Sequence, residues 1–176
     1  DLFEDISVIR QGRGVNGLLK NLGTKALSLS TLEGEYEKYH LALLLTLYYK
    51  LSSRDWNLDV TPNPPKIKDL NHSELHVHHI FPKDLLDRRG QKEAWDDVAN
   101  ITIISREANE SIGRKSPDEY LKQLYDADPE LLSAHLIPSD KDLWRVENYE
   151  EFLKERRKLI AEAVKKILGI KLLREA

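Results

Sequence analysis

The sequence has no cysteine and no methionine among its 176 residues. Without thiols it can build neither a disulfide framework nor a zinc site on thiolates, so any metal must rest on imidazole, carboxylate or amide donors. Aromatic residues are only 7% of the chain. No apolar run approaches the roughly 20 residues of a membrane span. No N-terminal stretch combines a basic head, an apolar middle and a small-residue cleavage site, which predicts a cytoplasmic protein with no membrane partner. An excess of positive charge is also missing: 27 Lys and Arg stand against 30 Asp and Glu, for a net charge of −3. That balance argues against wrapping nucleic acid with the whole surface and confines DNA contact to local patches. The length is enough for one domain that buries about two thirds of its unfolded surface. The chain begins at Asp1 without a methionine anywhere, which predicts a fragment of a longer protein.

Local patterns predict an α+β fold, mostly helical, in three stretches: a helical region with a proline-rich connector over 1–70, a core over 71–125 and a helical region over 126–176. Residues 35–51 hold strong helix formers with no Gly or Pro and apolar residues on nearly every face, which predicts a buried helix. Pro62, Pro64 and Pro65 then mark the connector. Residues 74–82 and 100–104 are β-branched and aromatic enough for two short strands of an irregular hairpin, joined by a long connection over 83–99. Ser105 is a candidate N-cap for a helix through Ile112, with Gly113 as a left-handed C′ residue. Ser116-Pro117 opens another helix to about Tyr125. Apolar residues at helical spacing over 148–168, with charges between them, predict an amphipathic helix.

Gly12, Gly14 and Gly17 satisfy G-x-G-x-x-G, but a dinucleotide loop needs a strand before it and a helix after it within a βαβ unit, and none follows. The histidines are more telling, since His72, His76, His78 and His79 fall within eight residues. His40, His72 and His135 read as structural or surface residues. The adjacent pair His78-His79 can divide two roles, metal ligand and proton acceptor near neutral pH. Strand alternation sends neighbouring side chains to opposite faces, so this requires the strand to bend or end there, as Pro82 suggests. His76 shares a face with His78 and reads as an accessory phosphate contact or a surface residue rather than a third ligand.

The order His76-Val77-His78-His79-Ile80-Phe81-Pro82, then Asn100 on the second strand and Asn109 on the following helix, resembles the ββα-metal site of HNH (His-Me finger) nucleases. HHIFP, VANITIISREANESIGRKSPDEYL and EFLKERRKLIAEAV together resemble the C-terminal nuclease domain of GmrSD-type restriction endonucleases. The resemblance implies a metal-dependent DNA endonuclease or nickase of prokaryotic defence against foreign or modified DNA, joined to an N-terminal ParB-like nucleotide-responsive domain. By position it makes His79 the general base, Asn100 the residue that orients its imidazole, and His78 and Asn109 the ligands of one divalent metal. A common HNH pattern has aspartate before the base. The histidine here favours Mn²⁺, Ni²⁺ or Zn²⁺ as readily as Mg²⁺.

Arg106, Arg114 and Lys115, around the same helix, are the expected phosphate contacts. Residues 154–176 hold eight basic and three acidic residues, read either as a DNA-backbone track or as a solubilising face. Trp56, Trp95 and Trp144 read as packing residues. The rival of another class is a non-catalytic DNA- or protein-binding module with a structural metal or none. A ribonuclease fits the same residues.

Overall fold

The computed structural model describes residues 32–57, 63–90 and 95–169. The glycine pattern at residues 12–17 and the basic end beyond residue 169 lie outside them. Helix α1 (Lys38–Leu51) buries nine successive residues from His40 to Tyr48, as a helix apolar all round must. His40 is a capping residue: its Nδ1 accepts from the Glu37 backbone N–H at 2.8 Å, a donor the helix itself leaves orphaned. The helix starts later than residue 35 because Glu35 bridges Asp97 and the Tyr36 N–H donates to the Asp96 carbonyl.

Strands β1 (Leu75–His79) and β2 (Ile101–Ser105) pair antiparallel, with His78 opposite Thr102 and His79 opposite Ile101. The connection between them is more structured than expected, since it contains helix α2 (Lys83–Arg88). Its six residues are too few for a visible helical period. β2 is buried at all five positions because both sheet faces are covered. Leu75, Val77, Ile101 and Ile103 pack with α1 and the final helix in one core. On the other face His78 meets Trp56 and Tyr120 edge-on, beside a second core built around Trp56, Phe81, Ile104 and Phe152.

Ser105 caps α3 (Arg106–Ile112), its hydroxyl accepting from the Ala108 N–H at 3.0 Å. Gly113 does take a positive φ, +58°, but its ψ of −121° is not the expected left-handed helical value; it lies in a region open to glycine alone. Helices α4 (Pro117–Ala127), α5 (Pro129–Ser133) and α6 (Tyr149–Leu168) complete the chain, with short 3-10 turns at Lys141–Trp144 and Val146–Asn148. Trp56 and Trp144 are buried, and Trp95 is half-buried beneath the Lys83 ammonium at 4.3 Å. The described residues thus form a mostly helical α+β arrangement around one two-stranded sheet. None of their helices is long and apolar enough to cross a membrane.

Candidate active site

β1 ends at His79, and its last two imidazoles take different partners. His78 is only 4% exposed. Its Nδ1 lies 2.7 Å from Asn109 Oδ1 on α3, and its Nε2 lies 3.4 Å from the Tyr120 hydroxyl on α4. Tyr120 donates its O–H to the Ile80 carbonyl at 2.9 Å. The shorter of the two His78 contacts decides the tautomer: Asn109 Oδ1 can only accept, so Nδ1 carries the proton and donates to it, and Nε2 holds the lone pair. Burial holds His78 down at about 4 against the opposing Asn109 bond, which keeps the ring neutral, as a ligand must be.

His79 is half-buried and its Nε2–H donates to Asp96 Oδ1 at 2.7 Å. Lys83 Nζ reaches the two oxygens of the same carboxylate at 3.1 and 3.2 Å. Among the described residues nothing hydrogen-bonds to His79 Nδ1, which is therefore the nitrogen able to receive a proton. Burial lowers the imidazole from its ordinary value, and the Lys83 charge adds to that, while Asp96 works the other way through its hydrogen bond and charge. For Asp96, burial alone would raise the carboxyl, but the hydrogen bonds from His79 and Lys83 outweigh it and hold it below the usual carboxylate range. A neutral imidazole with an ionised carboxylate behind one nitrogen and the other nitrogen open is the arrangement of an oriented general base.

Asn100 requires a correction. It does not touch the His79 imidazole, whose orienting partner is Asp96. Its Oδ1 accepts from the Phe81 N–H at 2.9 Å, and its amide donates to the carbonyls of Phe81 at 3.2 Å and Trp95 at 2.7 Å. Fully buried, it staples the backbone just after His79 to the backbone just before Asp96.

The basic residues separate. Arg114 has 92% of its side chain exposed, 3.9 Å from Asp84, and lines a cavity of about 580 Å³ with Pro82, Asp84, Asp87 and Arg88. Lys115 is half-buried at the same end of α3. Arg106 instead opens on a different cavity of about 500 Å³ with Glu74, Glu107 and Glu110, whose carboxylates disfavour a phosphate there. His76 is exposed. The basic track expected on the last helix also loses members, since Arg156 is fully buried and Arg157 is paired to the buried Asp97.

Sequence reasoning missed Asp96, Lys83 and Tyr120. Tyr120 stands inside the run SPDEYL already singled out, and its apolar spacing to Leu121 and Leu124 places it on the buried face of α4. Nothing local marks Asp96 among the aspartates of its loop.

The donor set at His78 and Asn109 fits one divalent cation. Two neighbouring ligands of a six-coordinate ion at about 2.1 Å are about 3 Å apart, close to the observed 2.7 Å; a cation there would take the place of the proton that Nδ1 shares with the Asn109 oxygen. No three His, Asp or Glu side chains converge among the described residues, so a cation here would draw its remaining ligands from water and substrate oxygens.

No protein-family model matches the chain, and no solved structure matches it. The chain is similar to an uncharacterized protein of Methanocaldococcus jannaschii, 27% identical over 133 residues, which cover 59% of this chain and 23% of the relative. It therefore spans about a quarter of the length of that relative.

Proposed function

We propose that this chain is a metal-dependent phosphodiesterase module, a DNA endonuclease or nickase of the HNH type, serving as the effector part of a prokaryotic defence protein. The observation that supports the reading is that two successive histidines at the end of one strand are differently equipped. His79 is neutral, held from behind by Asp96 and open at Nδ1, while His78 offers a neutral nitrogen alongside the Asn109 oxygen. In this reading His79 Nδ1 takes the proton from the attacking water as it adds to the phosphorus, and Asp96 stabilises the imidazolium that forms. Lys83 keeps Asp96 ionised. His78 and Asn109 would hold a divalent cation, which would supply charge neutralisation at the phosphate and at the departing 3′-oxygen. Arg114 and Lys115 contact flanking phosphates. Foreign or modified DNA as the target, and a ParB-like nucleotide-responsive domain as the recognition part, follow from the GmrSD resemblance. A second reading, a binding module without catalysis, draws support from the His78–Asn109 contact, which also closes as a hydrogen bond with no cation.

Single-turnover incubation with supercoiled plasmid, single-stranded DNA and RNA in Mn²⁺ separates these readings. The proposal expects cleavage of plasmid, with RNA cut more slowly. Faster RNA cleavage supports the ribonuclease, and binding of plasmid without cleavage in Mg²⁺, Mn²⁺, Ni²⁺ or Zn²⁺ supports the module.

A further inference from the structure

Helix α6 buries a stripe with a four-residue period, Phe152, Arg156, Ile160 and Val164. Arg156 is as inaccessible as the apolar residues around it. Among the described residues no carboxylate pairs with it, and its Nε has no partner. A buried guanidinium without a counter-ion is costly unless its donors are used. What the guanidinium does instead is grip backbone. One terminal nitrogen donates to the carbonyls of Ala99 at 2.8 Å and Ile101 at 2.6 Å, the two that flank Asn100. The other reaches the Tyr48 hydroxyl at 3.2 Å and the His135 carbonyl at 3.4 Å.

Asn100, held on both sides, is fixed in its turn. Its backbone carbonyl accepts from the Ile80 N–H at 2.8 Å, and its side chain holds Phe81 and Trp95 as described above. Ile80 follows His79 and Trp95 precedes Asp96. The route from α6 to the His79–Asp96 contact is therefore two hydrogen-bonded steps with no loose link.

We infer that Arg156 is a positioning residue, which holds Asn100 from beneath so that the backbone on either side brings His79 and Asp96 together. For its activity readout this rests on the nuclease reading; for its structural readout it does not. The planar fork matters, because a lysine ammonium offers one nitrogen where the fork offers two in fixed geometry.

The test uses Arg156→Met and Arg156→Lys in the full chain, with thermal unfolding, amide hydrogen exchange and Mn²⁺-dependent plasmid nicking. Arg156→Met should fold with a lowered unfolding temperature, because the buried carbonyls of Ala99 and Ile101 lose their donor. The Phe81 amide should exchange at least 10-fold faster, the amides of β2 should be much less affected, and kcat should fall at least 10-fold at unchanged KM. Arg156→Lys should fall between. Wild-type protection at Phe81 in either folded variant would overturn the inference, as would an equal loss of protection across all of β2, which marks a general structural role. If Arg156→Met does not fold, the Phe81 exchange of Arg156→Lys decides in the same way. If the wild type cuts nothing, the nuclease reading fails while the exchange data still decide the role of Arg156.

Discussion

An imidazole in water titrates near neutral pH wherever it stands; what separates His79 from its neighbours is that one nitrogen is tied to an ionised carboxylate and the other is open. The account therefore expects Asp96→Asn, which keeps a hydrogen-bonding side chain but removes the charge that stabilises imidazolium, to lower kcat for plasmid nicking at least about 10-fold while the fold persists. Unchanged kcat would mean that the Asp96 charge plays no part in the reaction. At His78 the donor is nitrogen, so activity in Mn²⁺ should equal or exceed that in Mg²⁺. Calorimetric titration of Mn²⁺ should lose at least 10-fold in affinity in His78→Ala and in Asn109→Ala. Strict dependence on Mg²⁺, or unaltered Mn²⁺ affinity, would remove His78 from the ligand set. The meeting of His78 with Asn109 was legible through the resemblance to the HNH order of strand, strand and helix. Asp96 and Arg156 were not, because their partners stand 13 residues or more away and no local pattern encodes such contacts.

Among the elements, the segment ahead of α1 is tied into the candidate site by one acid. Asp97 is 5% exposed. It accepts from the Ala99 N–H at 2.7 Å, capping the turn that leads into β2, and from the Gly34 N–H at 3.1 Å. It also pairs with Arg157 of α6, whose Nε donates to the Leu32 carbonyl. Replacing it by alanine removes a cap and strands a largely buried guanidinium, so Asp97→Ala should cost about 3 kcal/mol or more in denaturant unfolding. A loss below about 1 kcal/mol would show that the ion pair is no better than a surface one. Of the long elements, α6 was legible because its twenty residues carry a clear apolar period, and α1 because fourteen residues run through strong helix formers without Gly or Pro. The strands were legible from composition and from the turns that bound them. α2 was not, and neither was the tilt of Gly113 away from the left-handed helical region, since both depend on how the chain packs rather than on residue type.

At the scale of the whole molecule, a buried polar network joins α1, β2 and α6. His135 Nδ1 meets Thr102 Oγ1 and its Nε2 meets the Arg54 carbonyl, each at 2.9 Å. Thr102 in turn bonds the Tyr48 hydroxyl at 2.9 Å. Burial pulls His135 down to about 3, with the Arg54 carbonyl opposing and the Arg156 charge adding to the effect. The folded state therefore refuses a proton that the unfolded chain accepts below its ordinary value near 6.5. The stability this group contributes is complete above that pH and is lost as pH falls from about 6.5 toward 3, at up to about 1.4 kcal/mol per pH unit. Urea unfolding of metal-free protein between pH 8 and 4 should show this decline, and His135→Gln should show a slope shallower by about one proton. Equal slopes would contradict the assignment.

The central claim is that His79 removes a proton from water at a phosphodiester held beside His78 and Asn109. Its most direct measurement is nicking of supercoiled plasmid in Mn²⁺ by wild type and by His79→Ala with the same fold and the same Mn²⁺ affinity. The account predicts nicking by the wild type and a loss of about 100-fold or more in the variant, the share that general-base catalysis carries. Equal nicking by the two proteins, or none by the wild type with any of the four divalent metals, would contradict it.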